Sequence, residues 1–233
     1  EIIRGCELGV QGQYGEIHLL GLWLPRHSAP LDAELARLRG HREERNLKIL
    51  DRLRSIGINI GYQEVLDEAG GESVGRPHIA RVLQKRGIVS NFVQAFELYL
   101  GYYGAAYVPR TLLTPEEGVS LMADLGAVVS FAHPMLIRCP PSWFDEIIPR
   151  LKEAGLGAIE AYHSEHSARD ERFCVELAAR YGLGLSGGSD YHGMAKPGVE
   201  LGRGKGGLRV TVALLDALKA RRKRPVDDAP EVL

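Results

Sequence analysis

"AVVSFAHPMLIRCPPSWFDEIIPRLKEAGLGAIEAYH" (127–163) contains three different patterns in succession. Residues 127–134 are a short, nearly continuous apolar run, the signature of a buried strand. "SWFDEIIPRLKEAG" (142–155) has apolar residues at helical spacing and stops at a glycine. "LGAIEAYH" (156–163) is again strand-like. Strand, helix and strand within about 35 residues form the repeating unit of a parallel α/β sheet. The alternation continues outward on both sides. "TPEEGVSLMADLG" (114–126) offers Thr114 as N-cap, Pro115 at the first helical position and glutamates in the first turn. Downstream come a helix in "ARDERFCVELAARYG" (168–182), a strand running into a loop in "LGLSGGSDYHG" (183–193), and a last helix in "TVALLDALKARRKRP" (211–225). This order predicts a largely parallel sheet or barrel.

The first 24 residues predict two strands, "EIIRGCELGV" and "EIHLLGLWL", on either side of a "GQYG" turn. From Pro30 the character changes. Leu31, Leu35, Leu38, Leu47, Leu50 and Leu53 recur at near-helical spacing. "GYQEVLDEAGG", "RPHIARVLQKRG" and "NFVQAFELYLGYYG" follow as shorter helices. The expected organisation is one α/β domain from residues 1–29 and 105–233, with a helical subdomain, 30–104, inserted in it.

Composition narrows the function classes. A formal net charge of −1 with 25% charged residues argues against a broad electrostatic nucleic-acid or DNA-binding module. Cys6, Cys139 and Cys174 are far apart and lack CxxC spacing, so they read as incidental thiols of a reducing, cytoplasmic compartment. No apolar run approaches the ~18 residues of a membrane helix. The basic run at 221–224 reads as a solvated helix end.

Chemistry-bearing residues gather at strand ends, where parallel α/β folds build their sites. They are His133 in "SFAHP", Glu160 to His163 in "IEAYH", and Asp190 with His192 in "GGSDYHG". Glu7 follows the apolar "EIIRGC", and His78 stands at a helix start in "GRPHIA". Singly, each has an ordinary structural reading, and Asp190 could simply cap a turn. Together, carboxylates and imidazoles make a ligand set for Zn²⁺, Mn²⁺ or Fe²⁺. His18, alternating with apolar neighbours on a strand, is expected to be structural, with contact to a metal ligand from behind as the lesser reading. His163 is expected to face solvent, and His27 and His41 to lie on the surface. "GRGKGG" (202–207) reads as a flexible turn more readily than as a phosphate cradle.

"IRGCELG", "EIHLLGL", "GRPHIARVL", "YVPR", "FAHP", "IEAYHSEHS", "GGSDYHG" and "ELGRGKGGLRV", in this order, resemble the motifs of the PHP (polymerase and histidinol phosphatase) superfamily. The most similar branch contains small phosphoesterases acting on nucleoside 3′,5′-bisphosphates and short RNA 5′ ends. The resemblance implies a distorted, TIM-like (β/α)₇ barrel with up to three divalent metals, of Mn, Zn or Fe type, at its C-terminal face. By motif, Glu7 matches a carboxylate bridging two metals, His78 and His133 imidazoles on the second metal, Asp190 a ligand of the first, and His192 one of the third. Glu7 and Asp190 would be catalytic, with Asp190 orienting the attacking hydroxide or taking its proton. Arg76, Arg138 and His166 would hold the phosphate of a nucleotide or RNA end. The family's "HxHxxxSDG"-like and "TDHD"-like motifs are not among these 233 residues. They belong to two β/α units, roughly 60 residues, expected upstream of Glu1. A phosphatase for another small phosphomonoester, such as histidinol phosphate, and a metal-binding domain without catalysis are the competing readings.

Overall fold

The computed structural model describes residues 1–71, 73–193 and 196–222. They divide into two compact units, residues 1–31 with the described residues from 112 onward, and residues 32–111. The first is a mixed α/β unit built on a five-stranded sheet, in the order β1 (Gly5–Gly12), β2 (Gly15–Leu22), β3 (Val128–Phe131), β4 (Leu156–His163) and β5 (Gly184–Gly188). Only β3, β4 and β5 run parallel; β1 pairs antiparallel with β2, and β2 with β3. The largely parallel sheet expected from the strand–helix alternation is thus half right. Gln13 and Tyr14 alone join β1 to β2, and a parallel partner needs a crossover of a dozen residues or more.

Strand parity divides the chemistry of the hairpin. Leu8 and Val10 of β1 and Ile17 and Leu19 of β2 are buried on one face. Across that face lies α5 (Pro115–Asp124). Gly118 lets it approach: a Cβ there would sit 2.6 Å from the Val10 Cγ1. Thr114 caps α5 as expected, its Oγ1 accepting the Glu117 N–H while the Glu117 carboxylate accepts the Thr114 N–H. Helices α6 (Ser142–Ala154) and α7 (Ala168–Tyr181) complete this layer, with Phe131, Trp143 and Phe144 in edge and tilted ring contacts. Burying each such side chain contributes about 1.5–3 kcal/mol.

The opposite face of the hairpin carries Glu7 and Gly9, paired with Leu20 and His18. Its apolar end is sealed by α8 (Val212–Lys219), whose Leu218 packs with Trp23, Val128 and Ala158. The polar end stays open. Helix α8 stops at Lys219, short of the expected Pro225, and residues 223–225 of that stretch lie outside the described residues. So do the last two of the basic run at 221–224.

The second unit is helical, with α1 (Ala29–Ser55) belonging to it from Asp32, α2 (Tyr62–Ala69), α3 (Arg76–Lys85) and α4 (Phe92–Ala95), which runs into a π-helical turn, Phe96–Leu100. Ile49, Leu53, Ile60, Val65, Ile79 and Leu83 form its core. Among the described residues no helix is long and apolar enough to cross a membrane.

Candidate metal centre

The hairpin register sets the first group of side chains. Glu7 faces Leu20 and Gly9 faces His18, so Glu7 and His18 project from the same face one pair apart. His18 Nδ1 lies 2.7 Å from Glu7 Oε1. His133, delivered by the end of β3, puts its Nε2 3.1 Å from the same oxygen and 3.3 Å from His18 Nδ1. Its backbone is in the left-handed region, φ 27°, which costs a non-glycine residue of order 1–3 kcal/mol. The His133 N–H donates to the buried Glu160 carboxylate at 2.7 Å, which anchors this conformation.

His18 is the residue that the sequence reading kept out of the ligand set. Its apolar neighbours, Ile17 and Leu19, suggest a core position, yet they point to the other face. The two-residue turn carried the signal that was missed. It fixes the register, and the register places His18 beside Glu7.

A second group stands at the end of β5. Asp190 also has a left-handed backbone, φ 51°. Its Oδ1 lies 2.8 Å from His192 Nε2, and its Oδ2 accepts from Lys196 Nζ at 2.7 Å. Donor atoms of Glu7, His18 and His133 lie within 4.8 Å of one another, as do those of Glu7, Asp190 and His192. Glu7 is common to both. Imidazole nitrogens and carboxylate oxygens converging in this way fit divalent ions. Glu7, His133, Glu160 and Asp190 line a cleft of about 380 Å³ with an apolar floor.

The electrostatics follow from these contacts. Hydrogen bonds from His133 and then His18 hold the Glu7 carboxyl well below the usual range. Glu16 and Glu7 raise the His18 imidazole to about 9. Burial alone would raise Asp190, but hydrogen bonds from Lys196 and His192 outweigh it and leave the carboxyl below its ordinary value. Burial pushes Glu160 up to about 7, against the lowering effect of the His133 N–H.

His163 does not face solvent as expected; it is buried beneath the site. Strand β4 carries it inward, and desolvation lowers its pKa to about 4. Its Nδ1 accepts the Glu165 N–H, so the neutral ring carries its proton on Nε2. That Nε2 lies 3.5 Å from Asp190 Oδ2 without making a hydrogen bond. In His166 the order is reversed. Its Nδ1 must donate to the Ala161 carbonyl at 2.9 Å, and burial first of all lowers its pKa. The buried Nε2 is then a lone pair, able to accept a hydrogen bond but not to donate one to phosphate.

The remaining sequence candidates do not join these two groups among the described residues. Neither group of converging donors among the described residues includes His78. It sits in the helical unit at the first turn of α3, where its Nδ1 accepts the Gly75 N–H at 3.1 Å. Arg76 donates to the Leu100 carbonyl at 3.1 Å and lies over the Tyr107 ring. It lines a cavity of about 340 Å³ together with Arg42, Arg45 and Arg110. Arg138 is exposed in the loop after the 3₁₀ turn Pro134–Leu136 and does not line the cleft. Burial raises the thiol pKa of Cys6 and pushes Cys174 up to about 12, so neither is a ready nucleophile.

No family model matches the chain. It is 29% identical over 192 residues to a 5′-3′ exoribonuclease from Haemophilus influenzae, covering 82% of this chain and 70% of that one. It is 26% identical over 226 residues to a 3′,5′-nucleoside bisphosphate phosphatase from Chromobacterium violaceum, covering 97% and 79% of the two chains. A crystal structure from Bifidobacterium adolescentis, described as a metal-dependent phosphoesterase, superposes with a TM-score of 0.77 at 25% identity, covering 96% of this chain and 78% of that one. The chain is a homologue of metal-dependent phosphoesterases, in agreement with the resemblance of its motifs to the PHP superfamily.

Proposed function

We propose that this chain is a PHP-type, metal-dependent phosphoesterase that hydrolyses 3′,5′-bisphosphonucleotides or the 5′ ends of short RNA. The observation that carries the reading is the single carboxylate, Glu7, shared by two groups of ligand atoms. Glu7, His18 and His133 would hold one ion, and Glu7, Asp190 and His192 another. The family resemblance allows up to three ions and a seven-unit barrel, and the mixed donor set suits Mn, Zn or Fe. Divalent ions bound there supply Lewis acidity towards a phosphoryl oxygen and lower the pKa of water.

The chain's own residues do the rest. Asp190, kept ionised, orients the attacking water and accepts its proton. His163, with its Nε2 3.5 Å from Asp190 Oδ2 and no hydrogen bond between them, stands close behind that carboxylate without fixing it. Glu160 fixes the His133 backbone, so the imidazole arrives at Glu7 already oriented. His166, with Nδ1 on the Ala161 carbonyl and a buried Nε2, does not line the cleft and is not placed to donate to the phosphate expected of it. Arg76 and its neighbouring arginines supply a phosphate pocket in the helical unit. Arg138 serves an outer phosphate from its exposed loop. Three unpaired cysteines suit a cytoplasmic setting.

The test is a substrate panel with Mn²⁺ present. Phosphate release from adenosine 3′,5′-bisphosphate far exceeding release from histidinol phosphate is the expected result. The reverse preference would favour the other phosphomonoesterase reading, and no release from either would favour a non-catalytic domain. His133→Ala should also lose bound metal by elemental analysis; unchanged metal content would overturn the site.

A further inference from the structure

The helical unit carries a row of aromatic rings that its core does not use. Tyr102 and Tyr103 are 72% and 94% exposed. They stand on a fixed turn directly after the π-helical turn, where Ala105 N–H returns to the Leu98 carbonyl and Ala106 N–H to that of Tyr99. Gly104 makes this return possible, because a Cβ there would fall 2.4 Å from the Tyr99 carbonyl carbon. The Tyr102 and Tyr103 rings meet edge to face at 4.9 Å, and Tyr102 lies 5.3 Å from Tyr107. Tyr107 in turn lies beneath the Arg76 guanidinium, 5.9 Å from ring centre to Cζ. The row therefore leads, ring by ring, to the cavity that Arg76 lines with Arg42, Arg45 and Arg110.

Exposed aromatic faces joined to a cluster of guanidinium groups match one ligand chemistry closely. Bases stack on rings regardless of their identity, and arginines take the phosphates between them. We propose that Tyr102, Tyr103 and Tyr107 form a stacking platform for single-stranded RNA, with the adjoining arginine cavity taking its phosphates. This inference rests on the phosphoesterase reading and narrows it: the helical unit grips a polynucleotide chain as well as a mononucleotide. A surface for another protein would not need four arginines at the end of the row, whereas a polyanion does.

The experiment uses the full chain and a 3′-labelled, 5′-phosphorylated short oligoribonucleotide, with EDTA present so that nothing is hydrolysed. Fluorescence anisotropy gives the affinity. The double variant Tyr102→Ala/Tyr103→Ala should bind roughly tenfold more weakly, and Tyr102→Phe/Tyr103→Phe should bind as the unaltered chain does. Arg110→Gln should reduce the slope of log Kd against log salt by about 0.7. Wild-type affinity in the alanine variant would overturn the proposal, as would no binding of the oligonucleotide by the unaltered chain. So would a dimer that dissociates in the alanine variant while RNA affinity stays the same. The two readings fail separately. Absence of phosphate release from both the bisphosphonucleotide and histidinol phosphate sinks the enzymatic reading, and a tenfold loss of RNA affinity in the alanine variant would still support the platform.

Discussion

The cleft of the sheet unit and the arginine cavity of the helical unit gather charge by different routes. In the cleft, two kinds of donor meet on the ends and one face of a sheet: carboxylates of Glu7 and Asp190, imidazoles of His18, His133 and His192. Strand geometry sets their spacing, and each carboxylate is already neutralised by its neighbours. In the helical unit, Arg42 and Arg45 of α1, Arg76 of α3 and Arg110 beyond the last helix converge with the same sign. Mixed donors with lone pairs make a place for cations. Like guanidinium groups make a place for anions.

The first way to break this comparison is to exchange the roles of two histidines. His18→Ala should remove bound metal and lower phosphoesterase activity by more than about a hundredfold, because loss of a ligand exceeds the ~10–100-fold that residues behind the ligands cost. His78→Ala should keep its metal and instead lower the melting temperature, because it loses the bond to the Gly75 N–H. Metal loss in His78→Ala with metal retained in His18→Ala would move the centre to the set implied by the family motifs.

A smaller effect sharpens the account of the cleft. Glu160→Gln keeps an acceptor for the His133 N–H and should leave metal affinity within a few-fold of wild type. Glu160→Leu leaves that N–H without an acceptor and frees the left-handed backbone, so affinity should fall by about 10–100-fold in a metal titration. Equal affinity in both variants would show that Glu160 does not position His133.

The smallest effect lies away from both sites, at the start of α7. Ser167 and Asp170 form a reciprocal cap, and hydrogen bonds from Ser167 hold the Asp170 carboxyl below its ordinary 3.8. Because the folded pKa is depressed, the carboxylate's contribution to stability is whole above the unfolded value and is lost as pH falls through the folded one. Ser167→Ala should cost about 1 kcal/mol at neutral pH, or about 3 °C in Tm. The difference between wild type and Asp170→Asn should shrink as the pH is lowered below about 4, and thermal unfolding at several pH values would expose a constant gap.

Much of the local structure was legible in advance. The strands at 128–131 and 156–163, the helix between them and the Thr114 cap follow from periodicity and from the pairing of a cap residue with Glu117 three residues on. The antiparallel hairpin was legible too, but only by counting the turn: two residues cannot hold a crossover. His163 and His18 show the limit of reading neighbours. His163 ends a strand whose end is buried, and His18 lies between core residues that point away from it. The arginines of the cavity looked like ordinary charges along helices, and nothing in their spacing joins Arg42 to Arg110.

By itself, the sequence determined the elements, their caps and the residue types available for chemistry, because these depend on side-chain periodicity and on hydrogen bonds between near neighbours. Only the tertiary structure decided which of those residues meet. Glu7 and His133 are 126 positions apart, and their contact exists because β1, β2 and β3 lie side by side with a particular register. Register is set by the packing of whole strands and helices, and a single step of slippage would turn Glu7 and His18 into the core and Leu8 and Ile17 into the cleft.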